Sequence, residues 1–190
     1  MYEPEPANEN LIKHIIDLEW PMFHSVKASE PAACQEEAGT FRLMRWMSHS
    51  VLPAPVLEAM AAQLEQAAAE DRNLMTEKYA LMGHQIPPLK ESPLIGAIVA
   101  AERNWMQALH RLYPLTFPGT GARFEAYLAA DLETWSDRTL ELYHRFVQEA
   151  LAEDLNPVQA RYTNLFKRMG YASIEEREQK TRMQMFKCAQ

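Results

Sequence analysis

Apolar residues recur at helical spacing along most of the chain. In the first such segment, from Asn8 to Trp20, the side chains of Leu11, Ile12 and Ile15 fall on one side of a helix. The same spacing predicts six further helices, over residues of about 34–50, 55–83, 93–113, 123–153, 157–170 and 173–187. No segment alternates apolar and polar residues with a period of two, which is the pattern of a half-buried strand. The pattern therefore predicts an all-α protein.

Turn and capping residues divide the predicted helices. Ser92 with Pro93, and Asn156 with Pro157, each pair an N-cap residue with a proline at the first helical position. Pro21 lies at the end of the first segment. It predicts a kink there, because proline lacks an amide hydrogen and clashes with the preceding turn.

Length and composition fit one domain. The chain has 190 residues, of which 47% are hydrophobic and 24% are charged. We therefore expect a single-domain, bundle-like fold of about seven helices with a proline-kinked first helix. The domain would span residues 9–187 and follow a disordered tail at residues 1–8.

Net charge and cysteine usage limit the partners and the cellular compartment that we expect. The net charge of −7 argues against nucleic acid and anionic membranes as partners, because both repel an acidic surface. No apolar run approaches the ~20 residues that a membrane-spanning helix needs. Cys34 and Cys188 lie far apart in the sequence, which is typical of free thiols in a reducing compartment. We therefore expect a soluble, cytoplasmic protein.

Residues 72–82, RNLMTEKYALM, carry polar side chains among the apolar ones of a predicted helix. Asn73 and Glu77 are four positions apart, so they lie on the same face. One interpretation is a helix half-buried in the core, with its charges solvated or paired locally. The other is that Arg72, Asn73 and Glu77 face a pocket. Buried charges need partners, so an inward polar group would indicate a ligand or a fixed network.

Two further segments are candidates for chemistry. Glu19 and Trp20 lie just before the proline of the first helix, and a broken helix exposes backbone groups that often line sites. Cys34 would be a reactive thiolate if it begins the second helix, because the helix dipole lowers a thiol pKa. Arg45 on that helix has a planar guanidinium that suits a carboxylate or phosphate. The alternatives are a packing kink with an exposed Glu19, a small buried cysteine, and a surface salt bridge of Arg45.

One Glu-x-x-His pair, Glu141 and His144, has the spacing that di-iron helical bundles use. Such bundles need two of these pairs and two further acidic residues, and the sequence contains one pair. We therefore assign no residue as a metal ligand. Phosphate-binding and hydrolase motifs, such as a Walker loop or Gly-x-Ser-x-Gly, are absent.

Five segments of the chain together resemble a known family. They are LIKHIIDLEWPMFHSV, ACQEEAGTFRLMR, RNLMTEKYALM, YLAADLETWSDRTLELYHRF and MGYASIEE. In combination they are similar to a bacterial family of uncharacterised helical proteins, the domain of unknown function numbered forty-one twenty-five, from about residue 10 to residue 178. The resemblance implies a self-contained helical module, and it brings no activity, cofactor or catalytic residue.

We interpret the candidates as a polar pocket between the first three predicted helices that binds a small molecule, for which an anionic group is one option. The expected ligand-binding residues are Arg45, Arg72, Asn73, Lys78, Tyr79, Gln35 and Trp20, and the expected catalytic residues are Glu77, Glu19 and Cys34. An alternative is an adaptor that binds a partner protein, or a second copy of itself, through exposed methionine and aromatic side chains. Another is a metal enzyme with carboxylate and histidine ligands. The sequence leaves open whether the protein is an enzyme and whether it uses a cofactor.

Overall fold

The computed structural model describes the backbone of residues 6–26, 37–119 and 122–188, and side chains within 8–26, 37–119 and 123–185. This part of the chain consists of helices and connecting turns and contains no strand, which confirms the predicted all-α class. The nine helices of the described part are α1 Pro6–His24, α2 Ala38–His49, α3 Ala54–Ala69, α4 Leu74–Met82, α5 Pro93–Leu112, α6 Ala122–Glu133, α7 Asp137–Ala152, α8 Pro157–Arg168 and α9 Ile174–Cys188.

The helix predicted over residues 55–83 is two helices, α3 and α4. The chain turns between them at Asp71, whose φ of 54° lies in the left-handed region. Asn73 then caps α4, because its side-chain oxygen accepts a hydrogen bond from the Thr76 amide at 2.9 Å. The sequence pattern does not predict this break, because the apolar spacing continues across it and Asn73 also fits the face of one long helix.

The helix predicted over residues 123–153 also divides, into α6 and α7. Ser136 caps α7 by accepting a hydrogen bond from the Thr139 amide at 3.1 Å. Asp137 in the first turn adds a negative charge near the positive end of the helix dipole. These two caps account for the difference between the expected number of helices and the number observed in the described residues.

Pro21 lies within α1, which continues to His24. Proline donates no amide hydrogen bond, so the helix lacks one backbone hydrogen bond at that point. The Ser25 amide donates to the Pro21 carbonyl at 3.2 Å, and Asn73 Nδ2 donates to the Met22 carbonyl at 2.8 Å. The end of α1 is therefore tied to the start of α4.

The first eight helices form two groups of four. In the first group α1 packs against α2, α3 and α4, and in the second α5 packs against α6, α7 and α8. Three helix pairs form the main contacts between the groups: α2 with α8, α3 with α7, and α4 with α6. The last helix, α9, packs against α8. Charged side chains of one group can therefore contact those of the other in the space between the two groups.

Buried apolar side chains from both groups form one connected core. The most enclosed of them are 0% exposed and come from helices of both groups: Ile15, Leu57, Ile98, Leu109, Leu132 and Val147. Removal of this apolar surface from water is the main stabilising contribution, at about 25 cal/mol per Å². Within the described residues, no helix combines the length and the apolar character that a membrane crossing requires.

The substitution Leu57→Ala tests the assigned core. Leu57 on α3 is fully buried, so its truncation removes packed methyl groups and leaves a cavity. We expect the free energy of unfolding, measured by urea denaturation, to fall by about 2–5 kcal/mol. The matched control is Leu151→Ala on α7, where the leucine is 47% exposed and the change should stay within about 0.5 kcal/mol. Equal losses in the two variants would contradict the assigned burial.

Candidate functional site

A cavity of about 300 Å³ lies between the two helix groups. Side chains of α2 and α3 line it from the first group, and side chains of α5, α6, α7 and α8 line it from the second. Most of the lining is apolar. Its apolar residues include Met44, Met47, Met60, Met106, Phe124 and Leu128. Methionine adapts its shape easily, so this lining suits a small organic molecule.

Three ion pairs with buried members border the cavity, and each joins two helices. We name them the Glu19 cluster (Glu19, Arg45 and His49), the Lys78 cluster (Lys78, Asp131 and Tyr127) and the Glu102 cluster (Glu102, Arg161 and Tyr143). All of these residues except Glu19 and Lys78 line the cavity directly. A buried charge that loses its partner is strongly destabilising, so each carboxylate fixes the position of its cation.

The Glu19 cluster joins α1 to α2. Arg45 binds both carboxylate oxygens of Glu19, with Nε donating to Oε2 at 2.8 Å and Nη2 donating to Oε1. His49 Nε2 lies 3.4 Å from Oε2 of the same carboxylate. Arg45 and His49 reach one carboxylate because they are four residues apart on α2 and therefore share a face. The carboxylate of Glu19 is thus held by two side chains of the neighbouring helix.

The charge states of this cluster follow from its burial and its contacts. Burial would raise the pKa of Glu19, but the charge of Arg45 and the contacts with Arg45 and His49 together outweigh it and hold that pKa well below its usual range. Burial lowers the pKa of His49, and this effect exceeds the opposing attraction of Glu19. At neutral pH the cluster therefore contains a carboxylate, a guanidinium and an uncharged imidazole.

One buried nitrogen of the Glu19 cluster has no hydrogen-bond partner in the described part of the chain. His49 is 2% exposed, and its Nδ1 makes no hydrogen bond within the described part of the chain. An ionised carboxylate only accepts hydrogen bonds, so Nε2 is the nitrogen that carries the proton and Nδ1 carries a lone pair. Nδ1 has almost no accessible surface, so this lone pair is enclosed by the protein.

The Lys78 cluster joins α4 of the first group to α6 of the second. Lys78 is 1% exposed, and its Nζ lies 2.9 Å from Asp131 Oδ1. The angles at this contact are not those of a directed hydrogen bond, so we describe it as an ion pair. The same ammonium lies 3.6 Å from the centroid of the Tyr127 ring, a cation–π contact. Lys78 thereby places Asp131 and Tyr127 at the cavity wall.

The Glu102 cluster joins α5, α7 and α8. Arg161 Nη2 donates to Glu102 Oε2 at 2.6 Å, and the Tyr143 hydroxyl donates to Oε1. Burial and the adjacent Glu102 carboxylate raise the pKa of Tyr143 well above its usual range, so its hydroxyl stays protonated. Burial alone would lower the pKa of Arg161, but the charge and hydrogen bond of Glu102, together with the adjacent Tyr143, outweigh it and raise that pKa. This wall of the cavity is therefore polar and fully paired.

Of the residues predicted for the site, the structure brings three to the cavity clusters. Arg45 lines the cavity directly, while Glu19 and Lys78 hold side chains that line it. Lys78 was predicted as a ligand contact, and it instead lies behind Asp131 and Tyr127. The Glu19 carboxylate was predicted as a base, and the structure shows it bound to Arg45.

The other predicted residues of the segment 72–82 do not line the cavity. Arg72 donates to Glu77 at 3.1 and 2.9 Å, and its side chain is 47% exposed. Asn73 caps α4, and Tyr79 packs 6.3 Å from the Phe23 ring. The polar side chains of residues 72–82 therefore fit the interpretation in which charges pair locally at the surface, and Lys78 is the exception.

The remaining predicted residues are Trp20, Cys34 and Gln35. Trp20 is half-buried in an aromatic group, with its ring 5.3 Å from Phe41 and 5.4 Å from His24. Cys34 and Gln35 lie outside the described residues.

Sequence reasoning did not assign His49, Asp131, Glu102, Tyr143 or Arg161 to the site. Two signals were available in the sequence. Arg45 and His49 are one turn apart on one helix, and Glu102 occupies a position of the apolar stripe that Ile98 and Trp105 define on α5. A charge in an apolar stripe indicates a buried pair.

The Glu141–His144 pair does not join any of the three clusters. Glu141 is exposed on α7, and His144 Nε2 lies 3.3 Å from Gln148 Nε2. In the described ranges, no three histidine, cysteine, aspartate or glutamate side chains converge in a way that could hold a metal ion.

Two ion pairs between α1 and α2 allow a matched test of burial. Glu19–Arg45 has side chains 3% and 11% exposed, whereas Asp17–Arg42 has side chains 45% and 42% exposed. Glu19→Gln leaves Arg45 buried without a countercharge, and we expect the free energy of unfolding to fall by about 3–5 kcal/mol. Asp17→Asn should lower it by less than about 1 kcal/mol. Urea denaturation of both variants at neutral pH provides the measurement, and similar losses would refute the difference in burial.

The lowered pKa of His49 predicts a pH dependence of stability. As pH falls below the ordinary value of 6.5, the unfolded chain takes up a proton at this residue while the folded chain does not. The unfolded state then binds more protons, so the free energy of unfolding decreases toward acid, by at most about 1.4 kcal/mol per pH unit for one proton.

The measurement is urea denaturation of the wild type and His49→Gln between about pH 7.5 and about pH 5.5. Glu19 stays ionised in this window because its pKa is lowered from 4.5, so its titration does not interfere. We expect the wild type to lose more stability toward acid than the variant does. Identical slopes would show that His49 does not titrate differently in the two states.

Comparisons with known proteins agree with the resemblance seen in the five segments. A family model described as "Protein of unknown function (DUF4125)" matches residues 9–179. No curated protein and no solved structure matches the chain. Because the family model covers nearly all of the sequence, the chain belongs to this DUF4125 family.

Proposed function

We propose that this protein binds a small amphipathic molecule in the cavity between its two helix groups. The observation that carries the proposal is the cavity itself, which has a mostly apolar lining and is bordered by three ion pairs with buried members. A concave, mostly apolar pocket with a few fixed polar groups is the usual form of a small-molecule site.

The size of the cavity supports a compact organic ligand. An engineered cavity of ~150 Å³ in another protein holds one benzene ring. The cavity here measures about 300 Å³, so it has room for a substituted aromatic ring or an aliphatic molecule of similar bulk. The methionines of its lining can adjust to the outline of such a molecule.

The three clusters support a site that is rigid before the ligand binds. Each cluster connects different helices, and together they hold the polar atoms of the wall in fixed positions. Side chains that are already ordered lose little conformational entropy on binding, which favours affinity.

An adaptor function is the second candidate. Met169, Met183 and Met185 are at least half exposed near the C-terminal end of the described chain, and exposed methionines are common on surfaces that bind partner proteins. This surface offers no explanation for the buried polar groups around the cavity. For that reason we favour the small molecule.

Methionine methyl NMR can test the proposal with internal controls. The probes are 4-ethylphenol, which is neutral near pH 7, and 4-ethylbenzoate, which is anionic. We expect at least one probe to shift the methyl signals of Met44, Met47, Met60 and Met106, which line the cavity. The signals of the exposed Met183 and Met185 should stay unchanged. If neither probe moves the cavity signals at millimolar concentration, the proposal fails.

A cavity-filling variant separates binding in the cavity from binding elsewhere. Leu128→Trp adds a large ring to the cavity lining, and we expect it to weaken probe binding by at least about tenfold. Leu112→Trp adds the same ring at a position that is 63% exposed, and it should leave the affinity unchanged. Circular dichroism confirms that both variants are folded. Equal affinities in all three proteins would place the probe outside the cavity.

A further inference from the structure

We propose that a groove between α1, α2 and α8 binds the phosphate group of a small organic molecule. The groove has a volume of about 420 Å³ and shares no lining residue with the cavity between the two helix groups. Helix α2 lies between the two spaces, because its Leu43 and Trp46 line the groove while its Met44 and Met47 line the cavity. The proposal therefore does not depend on the function proposed for that cavity.

Three cationic side chains from three helices line the groove. Lys13 lies on α1, Arg42 lies on α2, and Arg168 is the last residue of α8. Arg42 Nη1 lies 2.6 Å from Asp17 Oδ1, whereas Lys13 and Arg168 have no carboxylate within ion-pair distance in the described part of the chain. In a protein with a net charge of −7, cations that converge without acidic partners favour an anion from outside the chain.

Arg168 is held in position by an aromatic ring. Its guanidinium carbon lies 3.9 Å from the centroid of the Trp46 ring, a cation–π contact. The indole is held in turn, because Trp46 Nε1 donates to the two carboxylate oxygens of Glu9 at 3.0 and 3.2 Å. A guanidinium that stacks through its face keeps the N–H groups of its edge available, and they form a fork that matches two oxygens of an anion.

The number and placement of the cations favour a phosphate over a carboxylate. They come from three helices, so they approach the groove from different sides. A carboxylate offers two oxygens in one plane, whereas a phosphate monoester offers three around a tetrahedral phosphorus, with a charge of about −1.5 to −2 at neutral pH. Among the described residues that line the groove, Glu9 is the one acid, and its oxygens face the Trp46 indole.

Apolar side chains complete the lining and suit a small organic group beside the phosphate. Ile16 is 5% exposed, Leu43 is half-buried, and the Trp46 ring adds to them. An extended polyanion fits less well, because the net charge of −7 repels nucleic acid and anionic membranes over the rest of the surface. The combination of three cations and an apolar floor therefore matches a single phosphate monoester.

Nitrogen-15 NMR of the tryptophan indole N–H groups tests the proposal, because Trp46 lines the groove and Trp135 lines the cavity. Trp46→Phe and Trp135→Phe assign the two signals. The probes are butyl phosphate, pentanoate and 1-butanol at one ionic strength. We expect butyl phosphate to shift the Trp46 signal and to bind at least about fivefold more tightly than either of the others.

Three results of this titration would overturn the proposal. One is that no probe shifts the Trp46 signal at millimolar concentration. Another is that butyl phosphate shifts the Trp135 signal alone, which would place it in the cavity. The third is that pentanoate or 1-butanol binds as tightly as butyl phosphate, since the groove would then not select a phosphate.

Charge-removing variants connect the binding to the groove. Arg168 and Lys13 are exposed, so Arg168→Gln and Lys13→Gln should fold normally, as circular dichroism can verify. We expect each to weaken binding of butyl phosphate by at least about fivefold. The matched control is Arg111→Gln, which removes the same charge from an exposed position of α5 outside the groove and should change the affinity by less than about twofold. Equal affinities in the three variants would overturn the proposal.

Discussion

Burying an ionised side chain is strongly unfavourable unless a countercharge lies beside it, and this fold meets that condition three times around one cavity. Glu19 pairs across α1 and α2, Lys78 pairs across α4 and α6, and Glu102 pairs across α5 and α8. The middle pair connects the two groups of helices. Because each partner fixes the other, the positions of these helices and the polar wall of the cavity depend on the same contacts.

The sequence predicted the helical class and most helix ends, because apolar spacing and capping residues are local signals. The breaks at Asn73 and Ser136 were missed since an apolar pattern can continue across two helices that pack on the same core. Glu19 and Arg45 were selected as unusual residues, but their contact spans 26 positions along the chain. Pairing over such distances depends on how helices pack, and a single sequence does not contain it.

The polar stripe of residues 72–82 shows how one helix can separate two kinds of charge. Arg72 and Glu77 pair with each other at the exposed end of α4, where water screens their interaction. Lys78 is adjacent to Glu77 in the sequence, yet it points into the interior and meets Asp131. Adjacent residues of a helix face about 100° apart, so a stripe predicted as a unit contained both a surface pair and a buried one.

The fold alone does not require the cavity or its charges. Replacing a buried ion pair with packed apolar side chains is often neutral or stabilising by about 1–4 kcal/mol, and filling a cavity commonly adds stability as well. Chance would scatter such features over the interior. Here three ion pairs and the buried imidazole of His49 border one cavity between the two helix groups. They occur together at one place, although stability alone would favour a packed apolar interior there, and this is the physical argument for our proposal that a molecule binds in the cavity.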